Sequence, residues 1–239
     1  METILILHGW GSRAANWQRV KEGLEDRGYR VLVPDLPGFG QNTAPQESWA
    51  AENYLAWVSD FCERNNLSQF VLVGHSFGGG LAVRFTSSHP EKVKRLILIG
   101  AKIRRHKTIK YYLGLALAYL GKIVFSVPGI SSLQPLGRKI LYHFVGTSDY
   151  YKLETEKNII MKETFKKVVG DDLTSYLSGI KAPTLIIWGK KDFFTPLEDA
   201  YFIKREIADS ELEMIENEGH SLNFKVPELL VKKIATFVK

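Results

Sequence analysis

The stretch VLVGHSFGGG, residues 71–80, decides the fold prediction for this chain. Residues 71–73 are apolar and rich in β-branched side chains, which is typical of a buried strand. Gly74, Ser76 and Gly78 form the pattern GxSxG, in which a serine on a sharp turn from strand to helix exposes its Oγ beside the helix N-terminus. A glycine-rich turn with an incidental serine fits the same letters, so residues elsewhere must distinguish the two interpretations.

Apolar runs alternate with helical periodicity on both sides of this stretch. The other predicted strands are at 3–7, 31–34, 96–99, 184–188 and 211–215, and the predicted helices between and after them are at 16–26, 48–65, 77–88, 197–207 and 227–238. Strands that are apolar throughout are typical of a parallel sheet with both faces covered. The sequence therefore predicts an α/β fold, a mostly parallel sheet with helices on both faces, in which ligands bind beyond the carboxyl ends of the strands.

Residues 102–179 interrupt the alternation, because they show helical periodicity and no convincing strand. The helices predicted there are at 107–125, 135–145, 149–168 and 171–178. We interpret this segment as a helical lid inserted into a core formed by residues 1–101 and 180–239. Its first helix is apolar and aromatic, and we expect Tyr111, Leu115 and Tyr119 to contact a substrate.

The formal net charge of +6 is concentrated in the predicted lid. Residues 102–178 carry thirteen Lys and Arg against six Asp and Glu, or +7, whereas the rest of the chain carries nineteen against twenty, or −1. The densest part is KIRRHKTIK at 102–110. Such a cluster can attract an anionic substrate, an acidic carrier protein or a phospholipid surface, although a solvated basic helix face gives the same pattern. No nucleic-acid recognition motif accompanies it, so we expect no nucleic-acid partner.

The compartment is predicted from cysteine usage and from apolar run lengths. The single cysteine, Cys62, allows no intramolecular disulfide. The N-terminal sequence METILILHGW has too short an apolar run for a signal peptide. No stretch approaches the ~20 apolar residues of a transmembrane helix, and the longest candidate, 111–127, is interrupted by Lys122. We therefore expect a cytoplasmic protein.

A serine becomes a nucleophile when a neighbouring base accepts its proton, and a third group must orient that base. His220 follows the last predicted strand in a glycine-containing loop, and Asp192 follows the strand before it. Both therefore lie at the same edge of the sheet as Ser76, and their order along the chain is Ser, Asp, His. His75 adjoins the serine but should project away from it, and Asp199 is interpreted as a solvated helix position.

Acyl transfer also needs hydrogen-bond donors for a developing oxyanion. The backbone amide of Phe77, directly after the serine, is one candidate. The loop HGWG at residues 8–11 ends the first strand and can supply the amide of Trp10 as the second donor.

Five motifs, HGWG, DLPGFG, GHSFGG, WGKKD and EGHS, resemble in this order the Ser-type α/β-hydrolase fold family over essentially the whole chain. The resemblance is closest to carboxylesterases of the pimeloyl-ACP methyl ester esterase type, which share the HGWG loop, the GHSxGG elbow and a helical lid. The sequence starts at the third family strand, so we expect a sheet without the two leading family strands. Haloalkane dehalogenases and epoxide hydrolases of this fold have an aspartate at the elbow, and Ser76 argues against both.

The resemblance implies a carboxylic ester hydrolase that acts through an acyl-enzyme on short to medium acyl esters, without a metal or organic cofactor. Phe39, Phe193 and Leu222 are further candidates for the acyl pocket. A C–C bond hydrolase, a perhydrolase or an acyltransferase of the same fold would use the same triad. A hydrolase-fold ligand receptor and a membrane-surface lipase remain open as alternatives of other kinds. The oligomeric state is not predicted.

Overall fold

The computed structural model describes residues 1–104 and 159–239. Within these residues one open, all-parallel sheet has six strands in the order β2-β1-β3-β4-β5-β6. The strands are β1 Thr3–Leu7, β2 Arg30–Leu32, β3 Phe70–His75, β4 Val93–Ile99, β5 Thr184–Gly189 and β6 Ser210–Ile215. The predicted α/β fold with a parallel sheet is therefore confirmed.

The helices cover both faces of this sheet. They are α1 Gln18–Glu25, which follows a 3-10 turn at Ala14–Trp17, α2 Ala51–Arg64, α3 Phe77–Ser88, α4 Ile159–Val169, α5 Thr174–Leu177, α6 Leu197–Glu206, α7 Leu222–Lys225 and α8 Pro227–Val238. Side chains alternate between the two faces along each strand. Ile4 and Ile6 of β1 pack with α1 and α8, whereas Leu5 and Leu7 pack in the core that includes α2, α3 and α6.

The strand order reverses beside β1, and this reversal fixes the position of the site. After β1 the chain forms β2 on one side and then returns to form β3 on the other side. The loops that leave the carboxyl ends of two such neighbouring strands diverge and open a crevice between them. The loop after β1 carries Trp10, and the turn after β3 carries Ser76, so both sequence candidates lie at this crevice.

Element boundaries differ from the predictions by a few residues. The edge strand β2 ends at Leu32, whereas β3 and β4 begin earlier than predicted, at Phe70 and Val93. The short helix α7 was not predicted. Helix α4 continues one residue beyond the predicted end at 168, and α5 is shorter than the predicted 171–178. The helices predicted at 107–125 and 135–145 lie outside the described residues, as do Tyr111, Leu115 and Tyr119.

Asp199 is not a solvated helix position, which corrects the sequence interpretation. It is 1% exposed, and its Oδ1 lies 2.6 Å from Nε of Arg104. The guanidinium of Arg104 also lies over the ring of Phe202, 4.4 Å from the centroid. This ion pair joins α6 to the segment that follows β4, so one arginine of the basic cluster is neutralised by the core.

No helix in the two described segments combines the length and the apolar character that crossing a bilayer requires.

Candidate active site

Ser76 occupies a strained backbone conformation between β3 and α3. Its φ of 52° and ψ of −117° are rarely adopted by residues other than glycine, and such conformations cost about 1–3 kcal/mol. The surrounding backbone holds it there: the Ser76 amide donates to Ile99 O at 3.0 Å, and Ser76 O accepts from the amides of Gly79 at 2.9 Å and Lys102 at 3.0 Å. The predicted strand–serine–helix turn is thus present in the structure.

The glycine at position 78 is required by the close approach of α3 to β1. A Cβ at this position would overlap with the carbonyl oxygen of Leu7, which is backbone and has no rotamer to change. A Cβ at Gly74 would in turn lie 2.5 Å from Gly78 O. Both glycines of the GxSxG pattern therefore let β1, β3 and α3 meet around the serine.

His220 and Asp192 form a buried hydrogen-bonded pair. Nδ1 of His220 lies 2.7 Å from Oδ2 of Asp192, and the two side chains are 14% and 1% exposed. Because an ionised carboxylate only accepts hydrogen bonds, Nδ1 must carry the proton, and Nε2 of the neutral ring keeps a free lone pair. This is the tautomer that a general base requires.

Asp192 is held ionised by a set of donors. Its Oδ1 accepts from the amides of Phe194 and Thr195 at 2.9 Å each, and its Oδ2 accepts from the hydroxyl of Thr195 at 2.8 Å. Burial alone raises the pKa of the Asp192 carboxyl, but the hydrogen bonds from His220 and Thr195 outweigh burial and lower that pKa below its ordinary value. The acid is therefore an anion at neutral pH.

Sequence reasoning missed Thr195 and Gly100. The hydroxyl of Thr195 is 3.3 Å from both Gly100 O and Nδ1 of His220. Gly100 has a φ of 49°, and a Cβ there would lie 3.1 Å from Nδ1 of His220 and 3.2 Å from Oδ2 of Asp192. A hydroxyl residue three positions after the acid was the available sequence signal for Thr195. Nothing in the sequence distinguishes Gly100 from a turn glycine.

His75 supports the loop of His220. Its Nε2 donates to the backbone carbonyl of His220 at 3.0 Å, and the two rings are 4.7 Å apart. Burial, with the adjacent His220 as a second cause, lowers the pKa of His75 to about 3, so its ring stays neutral. The histidine that we expected to project away from Ser76 is thus packed beneath the candidate base.

Ser76 and His220 line one cavity of about 390 Å³. Trp10 and Phe77 also line it, so four of the sequence candidates meet there, with Asp192 behind His220. Apolar side chains of Phe165, Val168, Phe194 and Phe224 form much of the remaining wall, and Ser12, Asn16 and Asn223 form a polar part. The cavity is in the size range of small-molecule sites.

Helix α4 forms part of the cavity wall and is hydrogen-bonded to the loop before α2. Thr164 Oγ1 accepts from the Trp49 amide at 3.0 Å, and Lys167 Nζ donates to Ser48 O at 2.8 Å. The ring of Phe165 packs 5.1 Å from that of Trp10. This described part of the predicted lid segment therefore contributes directly to the cavity.

The backbone amides of Trp10 and Phe77 have no hydrogen-bond acceptor among the described residues. Across the segments 1–104 and 159–239, neither N–H donates to a protein oxygen. The Phe77 amide is one of the unpaired donors at the start of α3. The two rings pack edge to face at 5.4 Å, which fixes the two backbone segments relative to each other.

Three predicted pocket residues lie elsewhere. Phe39 is buried behind Trp10, with the ring centroids 4.8 Å apart, and Leu222 is buried in the core between the sheet and α8. Phe193 is 92% exposed and does not line the cavity. Its neighbour Phe194 lines the cavity instead, 5.3 Å from the ring of His220, because the turn around Asp192 directs alternate residues outward and inward.

Comparison with known proteins places this geometry in a family. A family model described as alpha/beta hydrolase fold matches residues 2–120. The AB hydrolase superfamily protein YisY of Bacillus subtilis is 27% identical over 98% of this chain and 90% of its own length. The 2-hydroxy-6-oxononadienedioate/2-hydroxy-6-oxononatrienedioate hydrolase of Escherichia coli is 26% identical over 92% of this chain and 81% of its own. The esterase EaEST of Exiguobacterium antarcticum superposes with a TM-score of 0.74 at 24% identity, covering 100% of this chain and 92% of that one. The chain therefore belongs to the α/β-hydrolase fold family.

Proposed function

We propose that this hydrolase is a serine carboxylesterase with the triad Ser76, Asp192 and His220. The observation that carries the proposal is the 2.7 Å bond between His220 Nδ1 and Asp192 Oδ2, with His220 lining the same cavity as the strained Ser76. This arrangement leaves Nε2 of His220 free to accept a proton from the serine. A glycine-rich turn with an incidental serine has no reason to be accompanied by an oriented base.

The proposed reaction has two halves. Ser76 Oγ attacks the ester carbonyl while His220 Nε2 takes its proton, and the amides of Trp10 and Phe77 donate to the oxyanion. His220 then returns the proton to the departing alkoxide, which leaves as the alcohol, and an acyl-serine remains. Water, activated by the same imidazole, releases the carboxylic acid. Asp192 stays ionised throughout and stabilises the imidazolium. This chemistry uses only groups of the chain and water.

The size and lining of the cavity support short to medium acyl groups. Its volume of about 390 Å³ is near the lower end for small-molecule sites. The apolar wall formed by Phe165, Val168 and Phe194 favours a hydrocarbon chain over a charged one. Tyr111, Leu115 and Tyr119 remain proposed contacts of a longer substrate.

The proposal also includes an anionic partner at the basic cluster, residues 102–110. Arg104 already pairs with Asp199, and Lys102 donates to Val169 O at 3.2 Å. The excess charge of the cluster is what still favours an acidic carrier protein or an anionic substrate. Charge reversal at Arg105 and Lys107 should lower kcat/KM for carrier-bound esters and reduce its salt dependence. An unchanged kcat/KM with an unchanged salt dependence would contradict the proposed anionic partner.

A panel of p-nitrophenyl esters from acetate to laurate tests the proposed function. The wild type should turn over repeatedly with a preference for short to medium chains, and Ser76→Ala should abolish turnover. Ser88→Ala is the matched control, because Ser88 ends α3 on the protein surface. A fluorophosphonate should label Ser76 in the wild type and in the control. Activity that survives Ser76→Ala would contradict the mechanism.

The second candidate reaction is carbon–carbon bond hydrolysis. The Escherichia coli relative supports it by its name, and the same serine, base and acid would serve. A 2-hydroxy-6-oxodienoate added to the substrate panel distinguishes the two reactions by the kcat/KM ratio. A receptor, by contrast, would give at most one turnover with either class.

A further inference from the structure

His8 is a fully buried histidine to which the triad mechanism assigns no role. It follows β1 directly and is 0% exposed. Its Nδ1 lies 2.8 Å from the carbonyl oxygen of Gly9, and its Nε2 lies 3.0 Å from the amide nitrogen of Leu36. Both ring nitrogens are therefore engaged with backbone groups of two loops at the crevice.

These two partners determine the tautomer of His8. A backbone carbonyl only accepts hydrogen bonds and a backbone amide only donates them. Nδ1 must therefore carry the proton for Gly9, and Nε2 must offer its lone pair to Leu36. Burial lowers the pKa of His8, against the opposing effects of its bond to Gly9 and the charge of Asp35, and so favours this neutral form.

The carbonyl that His8 holds belongs to the same peptide group as the Trp10 amide. That peptide is trans and planar, so its C=O and N–H point in opposite directions. The amide of Ser12 also donates to Gly9 O, at 3.1 Å. Two donors thus fix the carbonyl, and the N–H on the other side of the plane has no acceptor within the described chain.

The cavity lies next to this peptide. Gly9 and Trp10 both line it, and a Cβ on Gly9 would be only 3.2 Å from Cβ of Ser76. A carbonyl that accepts two hydrogen bonds also polarises its peptide group, which strengthens the N–H as a donor. The hydrogen bonds to Gly9 O therefore both orient the Trp10 N–H and strengthen it as a donor.

We propose that His8 is a positioning residue for the oxyanion hole: by donating Nδ1–H to Gly9 O, it directs the Trp10 amide toward the oxyanion formed on the substrate. The inference rests on the proposed esterase function and on Trp10 as the second donor. The alternative is that His8 only joins β1 to the loop at Leu36 and has no effect on the oxyanion.

Two substitutions separate these roles because each keeps one of the two hydrogen bonds. In His8→Asn the amide nitrogen Nδ2 occupies the place of Nδ1 and can still donate to Gly9 O. In His8→Gln the longer side chain places its terminal amide near Nε2, where its oxygen can accept from Leu36 but no donor reaches Gly9. His89→Asn is the control for a generic histidine replacement, since His89 lies beyond the end of α3.

The kinetic constants for the best p-nitrophenyl ester and the Kd of an aryl trifluoromethyl ketone are measured for each variant. Removing an oxyanion donor costs about 10²–10³ in kcat, so misdirecting one should cost about 10- to 100-fold in His8→Gln. KM should change less than about threefold, and the Kd of the ketone, whose hemiketal adduct with Ser76 carries the oxyanion, should rise by the same factor as kcat falls. His8→Asn and His89→Asn should stay near the wild type.

The opposite ranking, with His8→Gln active and His8→Asn impaired, would overturn the proposal. So would losses in kcat that leave the Kd of the ketone unchanged. If neither variant folds, ¹⁵N NMR of the wild-type imidazoles still tests the premise of the proposal, because an Nε2–H tautomer of His8 at neutral pH would overturn it. A wild type that hydrolyses no ester and is not labelled by the fluorophosphonate contradicts the proposed esterase function. Failure of the esterase proposal can therefore be distinguished from failure of the proposal for His8.

Discussion

Replacing Thr195 by valine removes one hydroxyl from the hydrogen bonds around Asp192 and changes little else in volume. The lost bond is 2.8 Å long and ends on a buried carboxylate. Hydrogen bonds to charged groups contribute about 1.5–3 kcal/mol. For a chain of this size 1 kcal/mol corresponds to about 2–4 °C, so the melting temperature at neutral pH should fall by about 3–12 °C.

Thr86→Val is a matched control for this substitution. Thr86 is also buried, at 1% exposed, and its hydroxyl donates at 2.8 Å to the carbonyl of Ala82, a neutral acceptor within α3. A neutral bond of this kind contributes about 0.5–1.5 kcal/mol. The free energy of unfolding, measured with urea, should therefore fall more for Thr195→Val than for Thr86→Val.

The pH dependence separates the two variants further. The pKa of Asp192 is lowered in the folded state, so the stabilisation it provides is present above its unfolded pKa of about 3.9 and is lost as the pH falls through the folded value. The extra deficit of Thr195→Val should be complete at pH 7 and should shrink below about pH 4, whereas that of Thr86→Val should not follow this titration. Equal deficits for the two variants at every pH would refute the reasoning. We also expect kcat to fall by less than about tenfold, because Thr195 acts on the base only through Asp192.

Three other substitutions, one of them paired with a control, have expected outcomes. Gly78→Ala should lower the free energy of unfolding by about 1–3 kcal/mol or prevent folding, because the new Cβ meets the carbonyl of Leu7; a variant with wild-type stability and activity contradicts the close approach. Asp192→Asn should reduce kcat by about 10³–10⁴ with an intact fold by circular dichroism, since an amide no longer fixes the base tautomer, and a loss under tenfold would argue against the triad. Phe194→Ala should raise KM for medium-chain esters while Phe193→Ala, its exposed neighbour, leaves KM unchanged; similar KM values for both would exclude Phe194 as a pocket wall.

Features that depend on local pattern were predictable from the sequence. The strands are nearly continuous apolar runs, and α3 begins at Phe77 and ends at Ser88 as predicted. The motifs at strand ends also identified the residues around the crevice, because parallel strands bring their carboxyl ends to one edge. His220 and Asp192, twenty-eight positions apart, were thus expected to meet, and they are hydrogen-bonded.

Features that depend on contacts between distant segments were not predictable. Asp199 has the sequence context of a solvated helix acid, and its burial follows from Arg104, which approaches from a segment ninety-five positions away. Which of two adjacent phenylalanines lines the cavity was decided by backbone bonds to Asp192, and no hydropathy pattern records them. The triad, the two amides and the core–lid division remain predictions from the sequence, together with the proposed chemistry.

The direct pairing of β4 with β5 has a consequence for how such a protein diverges. Ile99 pairs with Ile187 across the two strands, although the connection between them spans the whole predicted lid. The register depends on the strands, and the entropy of closing a flexible connection rises by only about 0.6 kcal/mol for each doubling of its length. Insertions and deletions in this connection should therefore change the free energy of unfolding of the sheet only slightly. Natural variation can therefore change the length of the predicted lid while the sheet and the strained turn at Ser76 stay unchanged.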